Sequence, residues 1–472
     1  MAEKTENKTE SKVKELQKKL FMKKKNAGLI MSDDEIKAAD EFNEGYKKFL
    51  DDAKTEREAV KASAALLQKN GFVEYEKNKE YKAGDKVYVI NRGKSLILAV
   101  IGKESIENGV NILAAHIDSP RLDLKQNPLY EEAEMAYFKT HYYGGIKKYQ
   151  WTAIPLSLHG VIIKNSGETV EVNIGEDEND PVFVVTDLLP HLAQEQMKRP
   201  APKLIAGEEL NILIGSRPFK DDEASDLVKL NIMNILFEKY GITEEDFISA
   251  ELEAVPAFKA KDIGFDRSLV GAYGQDDRVC AYTAMMATVD IKDIPSKTVV
   301  TVLTDKEETG SDGNTGLQSS YLEYFIYDLA ESFGKNGRAV LSASKCLSAD
   351  VNAGFDPTFG DVMERKNCAY VGKGTVLTKF TGAGGKSSTN DSSAEFVGYM
   401  RKIFDENKII WQTGELGKVD LGGGGTVAKY IANLDVDTID LGVPVLSMHA
   451  PFEITSKADV YMTYKAFEAF IK

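Results

Sequence analysis

Two adjacent glutamates, Glu307 and Glu308, stand in LTDKEETGSDG (303–313), where an apolar run breaks into small and acidic residues. The run before them, SKTVVTVLT (296–304), is β-branched and nearly continuous, the composition of a strand buried on both faces. The pair then lies at the strand's C-terminal end, the edge of an α/β sheet where ligands bind. Neighbours on extended backbone point to opposite sides, so the two acids can hold different jobs. A solvated acidic turn has the same appearance, and only the company of other residues separates the two readings. Of five histidines, two occupy suggestive places. His116 ends an apolar run in LAAHIDSP (113–120), with Asp118 two residues on and on the same face. A carboxylate there can accept the second ring N–H of a ligating imidazole. His449 follows an apolar run in PVLSMHAPFE (444–453). Asp276 and Asp277 precede a helical pattern in GAYGQDDRVCAYTAMMA (271–287), where they also suit the helix dipole, and Asp350 ends a short apolar strand in KCLSADVNAGFDP (345–357). Each alone reads as a cap, a turn or a structural histidine. Jointly they all follow apolar segments whose ends can converge on one sheet edge. Two histidines with carboxylates and no cysteine suit zinc, manganese or cobalt. A pair of such ions shares a bridging carboxylate, clamps a substrate carbonyl and brings the pKa of bound water toward neutrality. One glutamate would then bind metal while the other shuttles the proton of that water to a leaving amine.

The elements that must position these residues are legible as a pattern. The 472 residues are 43% hydrophobic and 28% charged, enough for two or three domains with a substantial core. A net charge of −15 opposes nucleic-acid binding. No run approaches the ~18 apolar residues of a membrane span, and the N-terminus lacks the apolar core of a secretion signal, which predicts a cytoplasmic protein without membrane partners. Cys280, Cys346 and Cys368 are scattered, arguing against disulfides or a thiolate metal site. The lysines at the start (Lys18, Lys19, Lys23, Lys24 and Lys25) read as a face of an exposed helix. A helix is predicted over 57–72 with Gly71 as its C-cap. KSLILAVIG (94–102) and GVNILAAHIDSP (109–120) read as neighbouring strands joined through Asn108 and Gly109. From about 125 to 248 short alternating strands mark a separate module, and afterwards helix and strand patterns alternate, as in an α/β sheet.

At these residues the chain resembles the M18 metallopeptidases, the aspartyl-aminopeptidase-like family of the co-catalytic zinc aminopeptidase clan, from about residue 80 to the end. AAHIDSPRLDLK, GQDDR, DKEETGS, LSADVNAGFDP and LSMHAPFE match the family's blocks in order. The resemblance implies an α/β fold: a central mixed sheet flanked by helices, forming a catalytic domain over 1–126 and 248–472, with a strand-rich lid or dimerisation domain inserted over 127–247. It implies two divalent ions, Zn²⁺ with Co²⁺ or Mn²⁺ as substitutes, one held by His116 and Asp350, the other by Glu308 and His449, with Asp276 between them. Asp118 would orient His116 and Glu307 would be the general base. The family's partners would be peptides with a free N-terminus and further copies of the chain, as tetrahedral dodecamers built from dimers, in which a lid histidine, matched by His191 in LLPHLAQEQ on an amphipathic helix, reaches a neighbour's site. Where relatives carry a Gly-Ser-Thr-Ile-Gly-Pro turn this chain has GGGGTVAKY (422–430), whose glycines would let backbone approach a substrate. Lys386 in GAGGKSST is the candidate cation for an acidic substrate side chain, and His141 and His159 read as structural. An N-acyl amino acid deacylase with the same metals, and a catalytically silent shell protein of the same fold, are the alternatives.

Overall fold

In the computed structural model, which describes residues 12–220 and 224–472, the β-branched run forms the strand Val299–Thr304, every residue of it buried. It lies inside a nine-stranded mixed sheet whose order is Val73–Glu74, Lys86–Asn91, Ser95–Val100, Val299–Thr304, Asn111–His116, Lys345–Ser348, Asp437–Gly442, Thr375–Thr378 and Trp411–Thr413. Four strands at its heart run parallel: Val299–Thr304, Asn111–His116, Lys345–Ser348 and Asp437–Gly442. Alternation shows why both faces must be covered. Leu96, Leu98, Leu113 and Ala115 face one core with the helices Asp33–Asp52, Gln275–Val289, Ala394–Glu406 and Lys457–Ile471. Ile97, Ala99, Ile112 and Ala114 face the other, under Tyr321–Ser332. Each buried aliphatic side chain in such a layer is worth about 1.5–3 kcal/mol.

The two apolar segments expected to be neighbours are in the same sheet but not paired. Val299–Thr304 inserts between Ser95–Val100 and Asn111–His116, antiparallel to the first and parallel to the second. The connection carries a 3₁₀ turn, Ile106–Asn108, and passes along the end of the inserted strand, where Lys103 and Glu104 N–H groups donate to the Pro295 and Ser296 carbonyls. Asn108 and Gly109 do lie in the connection, but the strands it joins are not neighbours. The helix expected over 57–72 is Glu56–Lys69, capped by the Thr55 side chain, with Gly71 just past its end at φ +81°.

A second, seven-stranded sheet is antiparallel where its pairs are defined and is built from residues 121–256, with its own core around Trp151, Phe138 and Phe247. A third sheet has five short strands, including Leu269–Ala272, Pro444–Leu446 and Glu453–Ser456. His159 lies on the second sheet and is structural. Its Nδ1 meets Glu58 at 2.7 Å and its Nε2 meets Glu176 at 3.2 Å, joining that sheet to the helix Glu56–Lys69. The segment holding His191 is not an amphipathic helix. Pro190 interrupts it, His191 is exposed in a turn, and only a short 3₁₀ turn, Gln196–Lys198, follows. The lysine-rich helix Lys12–Leu20 buries nothing, as expected, whereas Lys24 stacks on the Trp411 ring at 3.9 Å. All three cysteines are free and buried. Among the described residues no helix is long and apolar enough to cross a membrane.

Candidate metal centre

Three neighbouring parallel strands end together. Thr304 pairs with His116, and Ser348 lies beside Ala114, so His116, the 307–308 pair and Asp350 emerge from one sheet edge. Asp276 arrives from the start of the helix Gln275–Val289, in residues that have not yet taken helical dihedrals. His449 arrives from the third sheet, between Pro444–Leu446 and Glu453–Ser456, at φ +64°.

The five groups form two triads. Ligand atoms of His116, Asp276 and Asp350 lie within 4.8 Å of one another, as do those of Asp276, Glu308 and His449. Asp276 belongs to both through different oxygens: Oδ1 is 3.2 Å from His116 Nε2 and Oδ2 is 3.2 Å from His449 Nε2. His116 Nε2 is also 4.0 Å from Asp350, and His449 Nε2 is 3.5 Å from Glu308. The other ring nitrogens are committed, His116 Nδ1 donating to the Asp118 carbonyl at 3.0 Å and His449 Nδ1 to the Gly145 carbonyl at 2.8 Å. Both imidazoles therefore turn Nε2 toward the carboxylates, the orientation a metal ligand needs. Glu308 Oε1 is buried with no hydrogen-bond partner. Among the described residues no lysine or arginine is in salt-bridge distance of Asp276, Glu308 or Asp350. This partly buried, acid-rich set of oxygen and imidazole donors fits divalent zinc, manganese or cobalt.

The electrostatics follow from that crowding. Burial pushes Glu308 and Asp350 well above the usual carboxylate range, and the charge of Asp276 adds to both. Burial would raise Asp276 too, but hydrogen bonds from His116 and His449 hold it low. Burial disfavours a charged His449 ring, yet the Asp276 hydrogen bond and Glu308 push it up to about 10.

Glu307 and Glu308 do not lie on the extended backbone expected. They open a 3₁₀ turn, Glu307–Thr309, entered through Lys306 at φ +67°. Asp118 fixes that turn: its Oδ1 accepts from the Glu307 N–H at 3.0 Å and its Oδ2 from the Glu308 N–H at 3.2 Å. The same carboxylate accepts from the Tyr143 hydroxyl at 2.8 Å and lies 3.3 Å from His116 Nδ1. Asp118 thus orients a histidine and the glutamate pair at once. Asp118→Asn leaves one fewer acceptor for three donors, and zinc affinity should fall about 10–100-fold, read by competition with a chromogenic chelator. The Asp350 backbone is equally constrained. A Cβ at Gly442 would stand 1.8 Å from the Asp350 carbonyl oxygen. Gly442→Ala must move that segment, at a cost of about 1–3 kcal/mol in thermal unfolding, with reduced zinc occupancy.

Three contributors carried no signal strong enough to find in the sequence. Glu453 braces two ligands, its Oε1 accepting from the His449 N–H at 2.7 Å and its Oε2 from the Asp276 N–H at 3.1 Å, and burial with the nearby Asp276 pushes it up to about 8. Its position four residues after His449 was the only hint. Tyr143 and Gly145 come from the second sheet's segment and touch the site only through the tertiary fold.

A cavity of about 500 Å³ opens over the cluster, lined by Asp276, Glu307, Glu308, Asp350 and His449 and by the glycine-rich loop. Gly423 has φ +100°, and a Cβ there would strike the Ala383 backbone at 2.5 Å, so the close approach requires glycine. Lys386 is not brought to the cavity wall: it pairs with Asp391 at 3.0 Å and stacks over Phe380. His191 lies exposed on the second sheet's segment.

Residues 49–471 match the family model described as aminopeptidase I zinc metalloprotease (M18). A probable M18 family aminopeptidase 1 of Clostridium acetobutylicum is 52% identical over 460 residues, covering 96% of this chain and 99% of that protein. The crystal structure of the M18 family aminopeptidase from Thermotoga maritima superposes with a TM-score of 0.91 at 45% identity, covering 96% and 99% of the two chains. The S. cerevisiae mApe1 dodecamer, at 22% identity and TM-score 0.73 over 92% of this chain and 96% of that one, shares the fold. A match this long, at this identity, with the acid-rich cluster at the sheet edge, makes the chain a member of the M18 family of zinc metalloprotease aminopeptidases.

Proposed function

We propose that this aminopeptidase works through a dinuclear site, one cation held by His116, Asp276 and Asp350 and the other by Asp276, Glu308 and His449, and that it removes N-terminal residues from short peptides. The observation that carries this reading is the division of Asp276, one oxygen toward each histidine. When bound, the ions supply Lewis acidity, polarising the scissile carbonyl and making water acidic enough to deprotonate near neutral pH. Glu307 lines the same cavity but belongs to neither triad. It takes the proton from the attacking water and returns it to the leaving amine. Burial, reinforced by Asp118 and Asp276, pushes Glu307 up to about 7, a value suited to both transfers. Its N–H bond to Asp118 holds the backbone while the carboxyl moves the proton. Residues 127–247, which hold most of the second sheet, then act as the inserted lid, since Tyr143 and Gly145 reach the site from it. That segment also exposes Leu188, Leu189, Leu192 and Met197, each half-exposed or more, which supports contact with further copies; the assembly proposed is a dodecamer built from dimers.

The test is amino-acid release from free and N-acetylated peptides by protein stripped with chelator and reloaded with zinc, cobalt or manganese. Release from free amines alone, only after reloading, is expected. Hydrolysis of acetylated substrates alone would transfer the assignment to a deacylase, and no turnover with any metal would sink the mechanism.

A further inference from the structure

We propose that Lys429 binds a substrate carboxylate remote from the scissile bond; this rests on the aminopeptidase reading above. Among the described residues, Lys429 is the one lysine or arginine lining the cavity over the metal cluster. That cavity contains four carboxylates, Asp276, Glu307, Glu308 and Asp350, yet among the described residues no carboxylate comes within salt-bridge distance of Lys429. Its ammonium instead lies 4.7 Å from the centre of the Tyr430 ring. Tyr430 is fixed in turn: its hydroxyl donates to the Gly310 carbonyl at 3.0 Å and accepts from Gln318 at 3.2 Å. Gly310 ends the turn that carries Glu307 and Glu308, so the lysine is registered against the proton-transferring group. Lys386, by contrast, is already neutralised by Asp391.

A partly buried lysine that has no carboxylate in salt-bridge distance among the described residues, its ammonium held over an aromatic ring beside the acidic cluster, is a receptor for an anion entering with the substrate. The carboxylates suit the substrate's α-ammonium, and Lys429 suits a negative group elsewhere on the same molecule. A cavity of about 500 Å³ has room for a short peptide. Two sources share this chemistry: the C-terminal carboxylate of a di- or tripeptide, and the side chain of an acidic residue.

The experiment uses the full-length, zinc-loaded protein and two substrate pairs, Leu-Ala against Leu-Ala-amide and Glu-Ala-amide against Gln-Ala-amide. The carboxylate-bearing member of one pair should be favoured by about tenfold in kcat/KM, expressed mainly in KM. Preference within the first pair identifies the C-terminal carboxylate, and within the second the acidic side chain. Lys429→Met should bring that ratio to about one, and Lys429→Arg should preserve it. Ratios near one for both pairs in the wild-type enzyme overturn the proposal before any variant is made, as does a preference that survives Lys429→Met. If the wild-type enzyme cleaves no free-amine substrate at all, the aminopeptidase reading has failed and this proposal fails with it.

Discussion

Replacing Glu307 with glutamine should lower kcat by about 10²–10⁴-fold while leaving zinc content unchanged. Glutamine keeps the size of the side chain and the N–H that Asp118 accepts, and it lies outside both ligand triads, so the cations lose nothing. What disappears is the group that carries the proton. The pH profile should change as well. Burial, with Asp118 and Asp276 beside it, raises the Glu307 carboxyl to about 7, and a base must lose its proton to act. Wild-type kcat/KM should therefore rise with pH through an acidic limb at or below about 7, because cations at Asp276 and Glu308 favour the carboxylate and move the limb acidward. Glu307→Gln should lack this limb. Glu308→Gln is the contrast: it removes a ligand atom from the triad with His449 and should lose zinc. Equal zinc loss in both variants, measured by mass spectrometry of the metal, would refute the division of labour between the two neighbours.

The place of the acidic pair is legible in the sequence, though its backbone geometry is not. The acidic pair was placed correctly at the end of a fully buried strand, because continuous β-branched runs are what parallel strands require when helices cover both faces. The pair was expected on extended backbone, whereas it lies in a 3₁₀ turn entered through a left-handed Lys306. Local pattern tells which residues are apolar, not which strand lies between two others, so the insertion of Val299–Thr304 between the first two strands went unseen. Glu453, Tyr143 and Gly145 were missed for a related reason. Their roles come from backbone hydrogen bonds and cross-sheet contacts that have no signature in spacing. Lys386 illustrates the reverse: residue type suggested a substrate contact, but in the fold its ammonium meets Asp391.

Asp276→Ala should be the most damaging single change, lowering activity at least about 10³-fold and reducing bound zinc below one ion per subunit. Every other ligand serves one triad, and this carboxylate serves both. Lewis-acid stabilisation of a developing charge is worth several kcal/mol, and each 1.36 kcal/mol is a factor of ten in rate. Loss of the shared carboxylate also leaves the His116 and His449 Nε2 atoms without the oxygens 3.2 Å away that face them. Asp350→Ala and Glu308→Ala provide the internal comparison, because each removes a ligand from only one triad. Those two variants should retain about one zinc, in different halves of the site, while Asp276→Ala retains less than either. Zinc stoichiometry after equilibrium dialysis, read beside the rate on a free dipeptide, separates the cases. A variant without Asp276 that still binds two ions, or one without Asp350 that loses both, would mean that the cations do not share this carboxylate and that the dinuclear assignment is wrong.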